Sequence, residues 1–293
     1  MRAALTVLAD ELRRLKTTGI KSVSVSDSSL GALRAVIRRS SASVALANAP
    51  AFASAAVSRT TSAPATKVRA NLLPPPPVVT LPPGDKAARW AALVAAMNRD
   101  PVNAAQAAPD RKLVLGSGNL DAKLMFVIDA PAPEETKAGE LFVGPAGQLL
   151  GKMVVGMGVA RADVYLGCLM NWRPAKTDAA GESRTPTEEE LRYCLPFLRA
   201  QVEIVQPSLL VALGSSVAEI LLGPSAFKNL AEVRGSWREF AGVPMMVTYH
   251  PSYLIRPPVT DRKKRMVWED LLKVMERAAL PISEKQRGFF LEK

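Results

Sequence analysis

Cysteine and histidine are scarce in this sequence. Its 293 residues include two cysteines, Cys168 and Cys194, and one histidine, His250. No C-x-x-C pair exists, so the spacing signals neither a zinc site nor a disulfide framework, and a cytoplasmic protein is expected. No run of eighteen apolar residues occurs, so no membrane span is expected. Asp10 and Glu11 stand where a secretory leader requires an uncharged apolar stretch. No internal repeat is found.

What is present begins with charge. Lys and Arg number 38 against 27 Asp and Glu, a formal net charge of +11. The excess is uneven, because residues 1–70 hold eleven basic and three acidic side chains. Such a segment either draws nucleic acid through its phosphates or is a solvated tail.

Leu5, Leu8, Ala9, Leu12 and Leu15 share one face of a helix pattern over 2–17. Lys21 to Ser26 alternates like a short strand, and Asp27 caps a second helix from Ser28 to Arg39. Residues 1–39 thus read as a small α-β-α element, too short for its own core and suited to a partner protein. Residues 40–84, rich in Ala, Ser, Thr and Pro with four prolines from Pro74 to Pro77, read as a disordered linker. A domain over 85–282 follows, opened by a helix from Lys86 to Asn98 with Asp85 as cap, and residues 283–293 read as a tail.

From Leu113 strands and helices alternate. Lys123 to Asp129, Val164 to Met170, Leu209 to Leu213 and Met245 to Thr248 are strand patterns. Helix patterns cover Gly147 to Val155, Thr187 to Val205, Ser215 to Leu222 and Asp261 to Ala279. This alternation predicts a three-layer α/β/α sandwich around a central, mainly parallel four-stranded sheet.

The strand ends carry the candidate chemistry, since open α/β sheets bind ligands at the carboxyl ends of their strands. The first strand ends at Asp129, a carboxylate that either serves a ligand or caps a turn. Gly139 to Leu150 follows, a glycine-rich stretch into a helix with Phe142 placed to stack on a base. The second strand ends in Cys168-Leu169-Met170-Asn171-Trp172-Arg173-Pro174, setting a cation and an aromatic ring together. The fourth ends in Tyr249-His250-Pro251-Ser252, where Pro251 holds the imidazole on a turn. Leu254-Ile255-Arg256-Pro257-Pro258 has the composition of a wedge for a nucleic-acid groove.

Taken together, residues 111–280 resemble the uracil-DNA glycosylase superfamily, and most closely its iron–sulfur-containing family 4 branch. That family's Gly-Glu-Ala-Pro-Gly is similar to Ile128-Asp129-Ala130-Pro131-Ala132, and its Gly-x-Pro-Phe-Val-Gly-x-Ala-Gly-x-Leu-Leu to Gly139 through Leu150. Its Lys-Cys-Arg-Pro-Pro resembles Asn171 to Ala175, and its Thr-Tyr-His-Pro-x-x-Leu-Leu-Arg resembles Thr248 to Arg256. Val211 to Ala218 also looks like that family's third strand and helix start.

The resemblance implies hydrolysis of a flipped base in single- or double-stranded DNA by a monomer, giving free base and an abasic site. His250 would donate to the base oxygen, and Asp129 would position water or stabilise the cationic sugar. Ala130, Phe142, Gly144, Cys168, Asn171 and Arg173 would surround the base. Gly147, Ser252, Leu254, Ile255 and Arg256 would meet the DNA. Cys168 replaces the asparagine that reads the uracil edge, and Ile128 and Ala132 replace glycines. The places equivalent to the four cluster cysteines are Val102, Ala105, Trp172 and Cys194, so no cluster is expected, with apolar packing instead. Two alternatives stay open: a catalytically weak or inactive DNA- or base-binding protein, favoured by Cys168 and Ile128, and a nucleotide-binding regulator, disfavoured by the wedge.

Overall fold

The computed structural model describes residues 73–174 and 184–291. The element expected over 1–39, residues 40–72 of the linker, and Ala175 lie outside the described residues.

Six strands form one sheet: β1 (Gly116–Gly118), β2 (Leu124–Ile128), β3 (Val164–Cys168), β4 (Leu209–Leu213), β5 (Trp237–Phe240) and β6 (Val243–Thr248), in the order β1-β3-β2-β4-β6-β5. The inner four pair in parallel, and β1 and β5 close the edges antiparallel. The expected sandwich is therefore present, but its sheet has six strands rather than four. The two edges gave little sequence signal. β1 is Gly-Ser-Gly, without an apolar pattern, and exists because glycine permits contact: a Cβ on Gly116 would lie 2.7 Å from the Leu166 carbonyl oxygen.

Every residue of β2, β3 and β4 is buried, as expected for parallel strands covered on both sides. In β2 the two-residue period sends Leu124, Phe126 and Ile128 to one core and Met125 and Val127 to the other. Helices α1 (Lys86–Arg99), α2 (Pro101–Gln106), α3 (Pro133–Ala138), α4 (Pro145–Gly156), α5 (Glu188–Val205), α6 (Ser215–Leu222), α7 (Ser252–Ile255), α8 (Asp261–Arg277) and α9 (Glu284–Arg287) follow in chain order. α4 and α8 pack on the Phe126 side through Leu150, Val154, Leu271 and Met275, while α5 and α6 pack on the Met125 side through Leu198, Val202, Val217 and Ala218.

Local chemistry explains the helix starts. Asp85 accepts from the Ala88 N–H at 2.8 Å. Thr187 Oγ1 accepts from the Glu190 N–H at 3.2 Å, while Glu190 reaches back to the Thr187 N–H at 2.8 Å, a reciprocal cap. Residues 73–84 run extended, with Val79 and Leu81 against Leu93, Met97 and Phe197. At the other end, Trp268 Nε1 donates to the Gln286 carbonyl at 2.6 Å and Gln286 Nε2 to the Gly156 carbonyl at 2.8 Å. Residues 283–291 thus dock on α4 and α8.

Candidate active site

The parallel strands bring their carboxyl ends to one edge, and a cavity of about 510 Å³ opens there. It gathers Asp129 and Ala130 after β2, Arg173 near the end of β3, Ser215 and Ser216 after β4, and His250 after β6. Ile128, Leu150, Leu166 and Leu213 make apolar walls. A larger cleft of about 640 Å³ lies at the opposite ends of the same strands, beside Lys123, Leu124, Ser208 and Leu209, and holds none of the residues singled out from the sequence.

His250 is held through one ring nitrogen. Its Nδ1 lies 3.2 Å from the Ser252 backbone N–H and 2.8 Å from Ser252 Oγ. A backbone N–H can only donate, so Nδ1 is an acceptor and the neutral ring carries its proton on Nε2. Among the described residues nothing pairs with Nε2. Burial pushes the imidazole below its ordinary value; Asp129 opposes that shift and Arg256 adds to it. Gly214, at φ 97°, makes the space, because a Cβ there would sit 3.3 Å from the His250 Cβ. Behind the site, Thr248 Oγ1 donates to the buried Asp270 at 2.6 Å, and Arg234 grips the same carboxylate through two nitrogens at 2.7 and 3.1 Å. Burial raises the Asp270 carboxyl, and these partners pull it back.

Asp129 Oδ1 accepts from the Ala130 N–H at 2.9 Å, so one oxygen caps the turn after β2 while the residue still lines the cavity.

Phe142 is fixed more tightly than its sequence context suggested. Its backbone sits at φ 72°, a region L-residues rarely adopt. Its N–H donates to Glu135 Oε1 at 2.9 Å, and the other Glu135 oxygen accepts from the Ala132 N–H at 2.8 Å. The Arg161 guanidinium stands 4.5 Å from the ring centroid. Gly147 lets α4 pass: a Cβ there would fall 2.4 Å from the Phe142 Cα. The ring is 4% exposed and packs in the core instead of lining the cavity. Gly144 is buried at the cap of α4, and Pro145 and Gly147 line the cavity in its stead.

Three further residues depart from the expected arrangement. Cys168 is fully buried, its thiol 3.0 Å from the Met170 carbonyl, and burial raises its pKa well above the ordinary value. Asn171 does not reach the cavity; its Nδ2 donates to Asn103 Oδ1 at 3.1 Å, on the far side of the sheet end. Leu254 is also outside the cavity, because α7 turns it into the core beside Leu271, whereas Ser252, Ile255 and Arg256 line the cavity. Ile255 is 44% exposed and Arg256 is also exposed, so the tip of the expected wedge projects. Arg173 lines the cavity and donates to the Pro131 carbonyl at 3.1 Å.

The sequence reading passed over Glu135 and Arg184. Arg184 lines the cavity and is bound to Glu190 at 2.6 Å. Glu135 lies at the third helical position of α3 behind Pro133, a helix-start signal that pointed to a backbone clamp.

The residues implied as equivalents of iron–sulfur ligands do not fit such a group. A four-thiolate site needs four cysteines, and this chain has two, of which Cys168 lies at the end of β3. Among the described residues no group of three or more His, Cys, Asp or Glu side chains is placed to hold a metal. Trp172, Cys194 and Val102 pack together, as the apolar expectation had it, while Ala105 is exposed. The apolar expectation was incomplete, however, because a chain of polar side chains runs through the same place. Tyr193 Oη donates to Asp100 at 2.7 Å, and Asp100 accepts from the Asn103 backbone at 2.8 Å.

Known proteins resemble this chain over the same region. The family model described as Uracil DNA glycosylase superfamily matches residues 115–272. The Type-4 uracil-DNA glycosylase of Thermotoga maritima is 38% identical over 162 residues, 55% of this chain and 80% of that protein. The Type-4 enzyme of Pyrobaculum aerophilum is 37% identical over 155 residues, 50% of this chain and 76% of its own length. A Type-5 uracil-DNA glycosylase of the same organism is 31% identical over 172 residues, 55% of this chain and 73% of that protein.

Proposed function

Because the chain belongs to the uracil DNA glycosylase superfamily, we propose that it hydrolyses the N-glycosidic bond of uracil, or of another deaminated base, in DNA and leaves an abasic site. The observation that carries this reading is the state of His250. With Nδ1 occupied as an acceptor, Nε2 is an N–H donor at the rim of a cavity with apolar walls.

In that reaction the bond from the sugar carbon to the base nitrogen breaks, and its electron pair leaves with the base. Negative charge gathers on the base oxygen, and a neutral imidazole N–H stabilises it without first having to be charged. Water then adds its hydroxyl to the sugar carbon, and the remaining proton is released to the base or to solvent. Asp129, with one oxygen committed to the turn, has the other for that water or for the cationic sugar. Ile255 and Arg256 would occupy the gap left in the duplex when the base rotates out. The test is abasic-site cleavage on oligonucleotides carrying uracil, hypoxanthine or xanthine. His250→Ala should slow the single-turnover rate by roughly two to three decades, since one such donor supplies about 2.7–4 kcal/mol. Cleavage at an undiminished rate in that variant would refute the role of His250.

A second reading, a DNA- or base-binding protein with little activity, has its own support. Among the described residues no Asn or Gln side chain lines the cavity, and the thiol standing where an amide is expected is tied to a backbone carbonyl. A wild type inert on all three bases, yet binding DNA that carries them, would decide for this reading.

A further inference from the structure

Asp100, Asn103, Tyr193 and Asn171 come from four separate places: the junction of α1 and α2, helix α2, helix α5 and the turn after β3. They form one continuous chain of hydrogen bonds. The Tyr193 phenol donates to Asp100 Oδ2 at 2.7 Å. Asp100 Oδ1 accepts from the Asn103 backbone at 2.8 Å and from its amide at 3.0 Å. Asn103 Oδ1 accepts from the Asn171 amide at 3.1 Å, and the Asn171 carbonyl accepts from the Val114 N–H at 2.8 Å. Asn103 and Asn171 are fully buried, so each bond works in a medium where a lost partner is not replaced by water. The Trp172 ring stands edge-on to Tyr193 at 6.5 Å, and Cys194 is buried in the same cluster. Two residues beyond Asn171, Arg173 enters the cavity.

We propose that this chain is a metal-free brace that positions the turn carrying Arg173, and through it one wall of the cavity. It occupies the place where the residues present cannot hold a four-thiolate cluster, and it ties together by hydrogen bonds the same helices and turn that such a cluster would tie by metal–sulfur bonds. The terminal groups at the Arg173 end support the assignment. Asn171 Oδ1 and Trp172 Nε1 are buried without a hydrogen-bond partner among the described residues. An orphaned buried polar group costs about 1–3 kcal/mol. The turn is thus held by more than its own local preference: the Leu169 and Met170 N–H groups fix its start on the Ile128 and Asp129 carbonyls, and the bonds with Asn103 and Val114 fix it at Asn171. The brace links to the proposed function only through what Arg173 does in the cavity; its existence does not depend on that reading.

The test therefore reads Arg173 directly. The full chain, wild type and variants, is treated with phenylglyoxal, which modifies accessible guanidinium groups, and modification is measured arginine by arginine by peptide mass spectrometry. Tyr193→Phe removes one link and keeps the ring; Asp100→Ala removes the hub; Asp100→Asn keeps an acceptor oxygen and serves as the conservative replacement. The expected result is faster modification of Arg173 in Tyr193→Phe, faster still in Asp100→Ala, and a return towards the wild-type rate in Asp100→Asn. Arg256 and Arg262, both exposed, should react at one rate throughout. An unchanged Arg173 in Tyr193→Phe and Asp100→Ala would overturn the inference. So would an equal rise at all three arginines, which would signal general loosening. Cleavage of uracil-containing DNA is measured on the same samples: a wild type inert on every deaminated base overturns the proposed function, while the arginine pattern still decides on the brace.

Discussion

A neutral imidazole can serve as a donor only over a limited pH range, and for His250 that range is set by its surroundings. Burial is the largest influence and lowers its pKa below the ordinary 6.5. The sign follows from comparing states. The unfolded chain takes up the proton near its ordinary value, whereas the folded chain resists it until lower pH, so His250 contributes stability above that value and loses it as pH falls through the interval. The same depression keeps the donor form in place. The single-turnover rate should therefore stay level from neutral pH down past 6.5 as far as this residue is concerned, and decline only below. A rate that halves at an unshifted histidine value would contradict the burial argument. Cys168 offers a separate test. Uracil presents an acceptor oxygen beside a ring N–H, and an amide matches both where a thiol does not. Cys168→Asn should raise the rate on uracil by about one to two decades, if two bonds worth roughly 1–3 kcal/mol together form in the transition state. The thiol's buried place beside Met170 means the new amide must turn from that carbonyl towards the cavity. No gain, with His250→Ala still abolishing cleavage, would mean the pocket favours another base.

At the level of elements, the loop from β2 to α4 and the first turns of α4 form one packed unit. Glu135 clamps the Ala132 and Phe142 N–H groups, and Gly147 passes within contact of the Phe142 backbone. Burial raises the Glu135 carboxyl, and its two backbone donors oppose this. Substitution Gly147→Ala would press a methyl group to 2.4 Å from the Phe142 Cα and 2.8 Å from its carbonyl carbon, backbone atoms that cannot swing aside. A loss of about 1–3 kcal/mol is expected, visible as a lower Tm and as slower cleavage once Phe142 is displaced. An unchanged Tm would show that α4 can shift without cost. The edge strands teach a related lesson: β1 has no apolar pattern, and its pairing with β3 rests on glycines that allow close approach.

For the whole molecule, the cysteine count puts the metal expectation in a measurable form. With two cysteines in 293 residues, the purified protein should be colourless, carry no stoichiometric iron and keep its Tm in the presence of chelator. Visible absorbance of a cluster with matching iron content would overturn this. Two apolar cores, one on each face of the sheet, support the fold. The C-terminal segment adds to the first of them through the Trp268 and Phe289 rings at 5.2 Å.

The alternation of buried strands and capped helices, and with it the sandwich, was legible in local periodicity, because each pattern reports burial within its own element. So were Asp85 and Thr187 as caps and His250 at a strand end on a proline-stiffened turn, since these depend on neighbours a few residues away. The tertiary structure alone decided which atoms face the cavity. It turned Phe142 and Cys168 into the core and Leu254 beneath α7, and it tied Asn171, expected beside the base, to a partner 68 residues distant. It likewise joined Tyr193 to Asp100 across 93 residues. Bonds of that span leave no trace in periodicity or capping, because the two partners meet only after the sheet has brought their elements together.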